Sequence, residues 1–226
     1  MVVTEPAADW LHSVAGVQSH HRSLLLWPDL LDGAGWSRVR PLLHTGARIL
    51  SLGRPLPDGE SAALRAVPLE VWGADAPDGP PGGAACDVPG PACDVPGPAC
   101  DVPGPAEWQQ LAALWQQAGL TPLPPTARDD PSWSHARIHR DGRPVAAAGA
   151  QQLLAPLGES GARLLVCSVV CEPAARRTGA ARRCVQALTA GRGGAAALLE
   201  PGSGSDRFFA GIGWRPVGRA YLYRYC

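Results

Sequence analysis

A long apolar stretch followed directly by an amphipathic pattern is the feature that most constrains how this chain can fold. Residues 162–171 read ARLLVCSVVC, which predicts a strand that is buried on both faces. Residues 178–190 follow as TGAARRCVQALTA, and their inward positions recur at helical spacing: Ala181, Cys184, Val185 and Leu188. A buried strand that leads into an amphipathic helix indicates a layered fold in which helices cover a sheet.

The other elements predicted along the chain agree with such a fold. Helix patterns begin at Glu107 (EWQQLAALWQQAG) and Ser205 (SDRFFAGIG). Strand patterns are ARILSLG (47–53), PLEVWG (68–73), AAALLE (195–200), WRPV (214–217) and AYLYRY (220–225). The pair Asp141-Gly142 predicts a hairpin turn between two further strands. Near the start, the spacing of Trp10, Val14 and Val17 predicts a helix. The order predicts an α/β chain with a mixed sheet.

An internal repeat divides the chain. The heptapeptide CDVPGPA occurs three times, beginning at Cys86, Cys93 and Cys100. Its Pro-Gly pairs favour turns, so residues 76–106 are predicted to be a linker or surface insertion. The alternative is that its thiols bind a soft metal, but cysteines in metal sites are usually paired at two-residue gaps, and we predict no metal. This leaves residues 1–75 as an N-terminal region of unknown role and 107–226 as the main domain.

Charge and composition restrict the partners. The 20 arginines (lysine is absent) balance 20 acidic residues, so no overall basic field would draw the chain to nucleic acid or to a membrane. No basic leader and no apolar run of membrane-spanning length is legible, which leads us to expect a cytoplasmic protein. The cysteine number is seven, which is odd and does not suggest a secreted disulfide framework.

The segment from Cys171 to Ala181 carries the most specific chemistry. It runs from the end of the buried strand, through Pro173 and two arginines, to the start of the amphipathic helix. Unpaired backbone N–H groups at a helix start bind anions, and the helix dipole strengthens this binding. Gly179 allows a phosphate to approach the backbone closely. A diphosphate on a longer molecule is therefore the ligand that we expect.

This segment resembles the signature of the GNAT superfamily of acyl-CoA N-acyltransferases, which reads Arg/Gln-x-x-Gly-x-Gly/Ala. Arg176, Gly179 and Ala181 match the signature, and Pro173 has the expected offset. A later segment with Gly213-Trp214 after an aromatic helix also resembles the family. The resemblance covers residues 107–225, with PLEVWG as a candidate first strand.

The resemblance implies a mixed, mostly antiparallel central sheet with flanking helices, and a site for acetyl-CoA as acyl donor. Backbone groups of Val169, Val170 and Cys171 would bond the pantetheine arm and the acyl carbonyl. The pyrophosphate would lie on the loop and helix start formed by Arg176, Arg177, Thr178, Gly179, Ala180, Ala181 and Arg182. A small-molecule or peptide amine would then attack the thioester directly in a ternary complex. A monomer or a homodimer would suit this chemistry.

The sequence departs from the family at the positions where a general acid for the acyl transfer is expected. Family members often carry a tyrosine in the late helix, where this chain has Phe208-Phe209, and the family's asparagine after strand five is replaced by Gly202-Ser203-Gly204. Of the tyrosines that alternate in the last strand, Tyr221 is the predicted substitute acid. Glu172, at the end of the buried strand, is the predicted general base.

Two readings of the function therefore stay open. One is an N-acetyltransferase, and the other is a non-catalytic acyl-CoA binding or sensor module. A nucleotide-phosphate binder of another family is disfavoured, because a Walker loop needs a lysine and the dinucleotide pattern Gly-x-Gly-x-x-Gly does not follow an early strand.

Overall fold

A computed structural model of the chain describes residues 17–20, 23–43, 48–56, 64–74, 97–192 and 194–225. Contacts divide the chain into two compact units. Unit 1 consists of Met1–Ala74, Leu153–Arg163 and Ala196–Cys226, and unit 2 of Asp75–Gln152 and Leu164–Ala195. Strands before residue 75 pair with the strand after residue 213, and both belong to unit 1.

The described residues form nine strands and five helices. The strands are β1 (Val17–His20), β2 (Ser23–Leu26), β3 (Arg48–Leu52), β4 (Leu64–Ala74), β5 (Trp133–Arg140), β6 (Arg143–Leu157), β7 (Ala162–Cys171), β8 (Ala195–Leu199) and β9 (Trp214–Tyr225). The helices are α1 (Gly33–Leu43), α2 (Pro105–Gln117), α3 (Thr126–Asp129), α4 (Ala180–Thr189) and α5 (Ser205–Gly211).

In unit 1 the strand order is β1-β2-β3-β9-β4-β8. The pair β2–β3 is parallel, and the pairs β1–β2, β3–β9, β9–β4 and β4–β8 are antiparallel. One apolar cluster of this unit includes Val17, Leu26, Ile49 and Tyr223. The Tyr223 hydroxyl accepts a hydrogen bond of 2.8 Å from the Leu56 amide, so the ring that fills this core also satisfies a buried backbone donor.

In unit 2 the strand order is β7-β6-β5. Strands β5 and β6 are antiparallel and meet at Asp141-Gly142, whose φ angles of 52° and 74° confirm the predicted hairpin turn. The β6–β7 contacts also run in opposite directions: the Glu172 amide donates to the Val145 carbonyl at 2.8 Å, while Gly149 lies beside Cys167. The predicted class, a mixed and mostly antiparallel sheet with flanking helices, is therefore confirmed.

An aromatic cluster lies between α2 and β5 in unit 2. Trp108 and Trp115 of the predicted helix are buried there with Trp133 of β5. The ring of His135, 5% exposed, contacts Trp108 edge-on at 4.9 Å between centroids and stacks on Trp133 at 6.2 Å. Its Nε2 lies 2.9 Å from the Ala127 carbonyl oxygen, and its Nδ1 is buried without a hydrogen-bond partner among the described residues. Burial lowers the pKa of His135, and the positive charge of Arg137 adds to this, although the Ala127 carbonyl opposes both.

Three details of the sequence interpretation need correction. Val17 begins a strand rather than continuing a helix, because it pairs with Leu26 in the β1–β2 hairpin; Trp10 and Val14 lie outside the described residues. WRPV and AYLYRY form the single strand β9, whose register against β4 shifts between Val71 and Trp72. In α4 the buried alanine is Ala180, not Ala181. No helix in the part of the chain that the structure describes is long and apolar enough to cross a membrane.

The hydroxyl of Tyr223 provides a first test of the fold. Tyr223→Phe keeps the ring but leaves the buried Leu56 amide without this acceptor, so the free energy of unfolding should fall by about 1–3 kcal/mol. Urea denaturation measures the loss. Tyr221→Phe, the same change two residues earlier in β9, is the matched control and should cost less; equal losses in the two variants would contradict the assignment.

The buried imidazole of His135 predicts a pH dependence of stability. Because its pKa is lowered in the folded state, the unfolded chain binds the proton more readily. The free energy of unfolding should therefore be fully present above the unfolded pKa of about 6.5 and should decrease as the pH falls below it. His135→Gln should reduce this slope between pH 7 and pH 5. An unchanged slope in His135→Gln would show that other groups cause the acid sensitivity.

Candidate functional site

The predicted cofactor strand is kinked. Ser168 lies in the middle of β7, yet its φ is 51°, in the left-handed region that non-glycine residues rarely adopt. The indole Nε1 of Trp115 donates a hydrogen bond of 2.8 Å to the Ser168 carbonyl oxygen. Such a conformation costs on the order of 1–2 kcal/mol, and a bond of this kind offsets much of it. The residues Val169, Val170 and Cys171 therefore follow a kink that the apolar pattern of the sequence did not reveal.

Past the kink, the strand alternates in burial. The side chain of Val170 is 4% exposed and belongs to the aromatic cluster of α2, whereas Val169 and Cys171 are partly exposed. Val170 therefore anchors the end of β7, and its contribution to a ligand would come from backbone groups.

A compact loop joins β7 to α4. After Glu172, a 3-10 turn spans Pro173–Ala175, and the hydroxyl of Thr178 donates to the Ala175 carbonyl at 2.7 Å. Gly179 precedes α4 with a φ of 78°, which explains why a glycine is needed at this position of the motif. Arg177 also has a positive φ, 64°, although it carries a side chain. The loop therefore holds one strained residue directly before the start of the helix.

The start of α4 is positively charged and lacks a side-chain cap. The Arg183 amide donates to the Gly179 carbonyl, so the amides before Arg183 belong to the first turn, whose N–H groups have no acceptor inside the helix. Arg176, Arg177 and Arg182 are exposed around this turn. The arrangement therefore offers both an oriented dipole and exposed positive charge to an anion.

Arg183 is a further candidate site residue, which sequence reasoning missed because its position also fits a solvated helix face. Its Nη1 donates to the Thr178 carbonyl at 3.3 Å, so the guanidinium folds back over the start of α4. Its Nε and Nη2 are buried and have no hydrogen-bond partner among the described residues. A cation at the positive end of a helix dipole with unpaired donors is costly, and a bound anion would relieve both penalties.

The predicted catalytic residues belong to different units. Glu172 lies beside the loop in unit 2, and its Oε1 is 3.2 Å from Nη2 of Arg143, an ion pair in which Arg143 is mostly exposed. Tyr221 lies in β9 of unit 1, opposite Ser51 of β3 and Pro68 of β4, partly buried against an apolar cluster. Glu172 lies within the predicted segment from Val169 to Arg182, and the catalytic roles of Glu172 and Tyr221 stay predictions.

Cysteine chemistry is disfavoured at this site. Burial raises the pKa of Cys171, although the Ala181 amide and the charge of Arg176 oppose the change. Cys184, inside α4, is fully buried, and burial raises its pKa to about 12. Neither thiol would be a thiolate nucleophile at neutral pH. Among the described residues, no group of three His, Cys, Asp or Glu side chains could hold a metal ion. Cys86 and Cys93 of the repeat lie outside the described residues.

Comparisons with known proteins identify the fold. No family model matches the sequence, and no curated protein matches it. The structure, in contrast, is similar to a GCN5-related N-acetyltransferase from Kribbella flavida, with a TM-score of 0.56, 17% sequence identity, and coverage of 95% of this chain and 91% of that one.

Two further solved structures agree. A protein described as a GNAT-family acetyltransferase from Novosphingobium aromaticivorans matches with a TM-score of 0.55 and 18% identity over 95% of this chain and 93% of that one. A conserved protein of unknown function from Staphylococcus epidermidis matches with a TM-score of 0.54 and 7% identity over 90% of this chain and 84% of that one. The chain therefore has the fold of the GNAT acetyltransferases, as the motif around Gly179 predicted.

Proposed function

We propose that this protein is an N-acetyltransferase that moves an acetyl group from acetyl-CoA to an amine. The observation that carries the proposal is the uncapped start of α4, which follows the kinked strand β7 and is surrounded by four arginines. In the GNAT fold this strand–loop–helix unit holds the acyl-CoA, and the residues present here suit that ligand. The acceptor amine is a small molecule or a peptide.

The pyrophosphate of the cofactor would bind at the loop and the first turn of α4. The amides from Arg177 to Arg182 supply donors, and the exposed side chains of Arg176, Arg177 and Arg182 supply charge. Gly179 has open space above its Cα apart from Nη1 of Arg183, which is 3.7 Å from an added Cβ position. A phosphate could therefore approach the backbone here, and Arg183 would turn its unpaired donors toward it.

The thioester would lie along the end of β7. Backbone groups of Val169, Val170 and Cys171 would orient the pantetheine arm and polarise the acyl carbonyl. The amine nitrogen then attacks the carbonyl carbon, the carbon–sulfur bond breaks, and coenzyme A leaves as a thiolate. Glu172 would take the proton that the attacking ammonium must lose. Because burial raises the pKa of Cys171 and of Cys184, direct transfer is favoured over an intermediate in which either of these cysteines is acylated.

The departure of the coenzyme A thiolate requires little general-acid catalysis. Phe208 and Phe209, at the position of the family's tyrosine in the late helix, pack edge-on at 5.1 Å, and Phe209 packs on Trp214 at 5.0 Å. This aromatic cluster cannot donate a proton. Since a coenzyme A thiol has a pKa of about 8.5, like cysteine, the thiolate can depart without an acid. Because the cluster of Phe208, Phe209 and Trp214 lacks a proton donor, it also favours the second candidate function, an acyl-CoA binding or sensor module without catalysis.

Cofactor binding is tested by thermal unfolding. Acetyl-CoA or coenzyme A at about one hundred times its dissociation constant should stabilise the protein by about 2.7 kcal/mol, a measurable increase in Tm, while ATP should not. Gly179→Trp should abolish this shift, because the side chain would occupy the phosphate position. Gly119→Trp, a matched change at another glycine of positive φ with open space around it, should keep the shift. An intact shift in Gly179→Trp would place the cofactor elsewhere.

Catalysis is tested by thiol release from acetyl-CoA with a panel of primary amines. Release should increase with particular amines, and Glu172→Gln should lower kcat by about 100-fold or more while the Tm shift with acetyl-CoA stays unchanged. Asp141→Asn, which removes a charge from the β5–β6 turn, is the control and should retain activity. Cofactor binding without amine-dependent release from any acceptor would instead establish the sensor module.

A further inference from the structure

Three arginines lie side by side at one end of the sheet of unit 1. Arg65 of β4 is paired directly with Arg224 of β9. On the other side of β9, Tyr223 is paired with Ile49 of β3, and the next step of this antiparallel register brings Arg224 beside Arg48. The strand order β3-β9-β4 thus places the three arginines in one row, with about 4.8 Å between neighbouring strands.

The side chains of this arginine row share one face of the sheet, since directly paired residues of neighbouring strands point to the same side. All three arginines are exposed. Two residues along each strand, the same face continues with Leu50, Leu222 and Val67, of which the two leucines are buried. The arginine stems therefore border an apolar face, and their charged ends are exposed at its margin.

The charge of the arginine row is not balanced by its own strands. Strands β3, β4 and β9 together hold five arginines and one acidic residue, Glu70, although the whole chain has 20 residues of each charge. Glu70 lies five residues from Arg65 and so faces the opposite side of the sheet, where its Oε2 accepts a hydrogen bond of 2.9 Å from the Trp72 indole. Among the residues that the structure describes, neither Arg65 nor Arg224 has an ion pair or a side-chain hydrogen bond. Like charges directly opposite each other are destabilising, so this pair weakens the sheet.

A bound dianion would turn the repulsion between the paired arginines into attraction. Each guanidinium offers parallel N–H donors to an oxyanion, and a phosphate monoester carries a charge of about −1.5 to −2 and three acceptor oxygens at neutral pH. One such group can accept hydrogen bonds from Arg65 and Arg224 together. A carboxylate carries a single charge and would leave one of the two arginines uncompensated. The chemistry of the row therefore fits a phosphate monoester best.

We propose that Arg65 and Arg224, with Arg48 beside them, form a binding site for a phosphate monoester. The ligand is a free phosphate ester or a phosphorylated side chain of a peptide, and both present the same dianion to the row. All three arginines belong to unit 1, whereas the residues proposed to bind acyl-CoA at the start of α4 belong to unit 2. This inference does not depend on acetyltransferase activity.

Residue-resolved NMR of the full chain tests the proposal. Inorganic phosphate is added while sodium chloride keeps the ionic strength constant, and the backbone amide shifts are followed. We expect the amides of Arg65 and Arg224 to shift with saturation at millimolar phosphate, and Arg65→Gln combined with Arg224→Gln to abolish the response. The matched control, Arg38→Gln combined with Arg219→Gln, removes the same charge from two other exposed arginines of unit 1 and should keep the response.

A pair of peptides identifies the source of the phosphate. One peptide carries a phosphoserine and no other charge, and its twin carries serine. Only the phosphorylated peptide should shift the amides of the arginine row. Binding about ten-fold tighter than that of inorganic phosphate would assign the site to phosphorylated peptides, and equal affinity would assign it to free phosphate esters.

Thermal unfolding measures the repulsion itself. Without phosphate, Arg65→Gln should raise Tm at low ionic strength and raise it less in high salt, because salt screens the repulsion in the unaltered protein. A lower Tm for Arg65→Gln would overturn the proposal, since the arginine would then have a structural partner.

Two NMR results would also overturn the proposal. One is the absence of any shift at Arg65 and Arg224, and the other is an undiminished response in the variant that lacks both arginines. The amides of Gly179 and Ala181 report on the start of α4 in the same spectra. A failure of the proposed cofactor site is therefore observed separately from a failure of the arginine row.

Discussion

The hydrogen bond from the Trp115 indole to the Ser168 carbonyl is the interaction on which the candidate site depends. It joins the long helix of unit 2 to the one residue of β7 that leaves the strand conformation. Trp115 is itself 1% exposed and lies among other aromatic side chains, so the donor has little freedom to move. The kink, and with it the direction of the last three residues of β7, is therefore set by the packing of α2 against the sheet. A site built on strands and held by a packed indole is preorganised for its ligand.

Backbone strain and unpaired donors are concentrated in the loop and helix start that follow β7. Arg177 adopts a strained backbone, Arg183 buries donors that find no partner among the described residues, and α4 begins without a cap. Each of these features costs free energy in the absence of a ligand. All three features lie within seven residues. An anion site explains them better than three independent defects, because one bound diphosphate would interact with all three.

The sequence predicted those parts of the structure that depend on local pattern. The periodicity of residues 162–190 and the pair Asp141-Gly142 were sufficient to place β7, α4 and the hairpin, and the spacing of Arg176, Gly179 and Ala181 predicted the fold family. The kink at Ser168 could not be predicted, because its cause is a donor 53 residues away in the chain. The pairing of β1 with β2 was also not predicted, because Val17 fits a helical face equally well until its partner Leu26 is known. In both cases a contact with another element, not local propensity, decided the conformation.

The position of β9 has a consequence for how the protein is made. This strand lies between β3 and β4, so two strands synthesised early are separated in the sheet by one synthesised late. The bond between Leu56 and Tyr223 spans 167 residues. A ribosome that adds about 5–20 residues per second would expose the edges of β3 and β4 for several seconds before β9 emerges. Unit 1 therefore cannot finish its sheet during synthesis of its first half, and the nascent strands must avoid other partners until then.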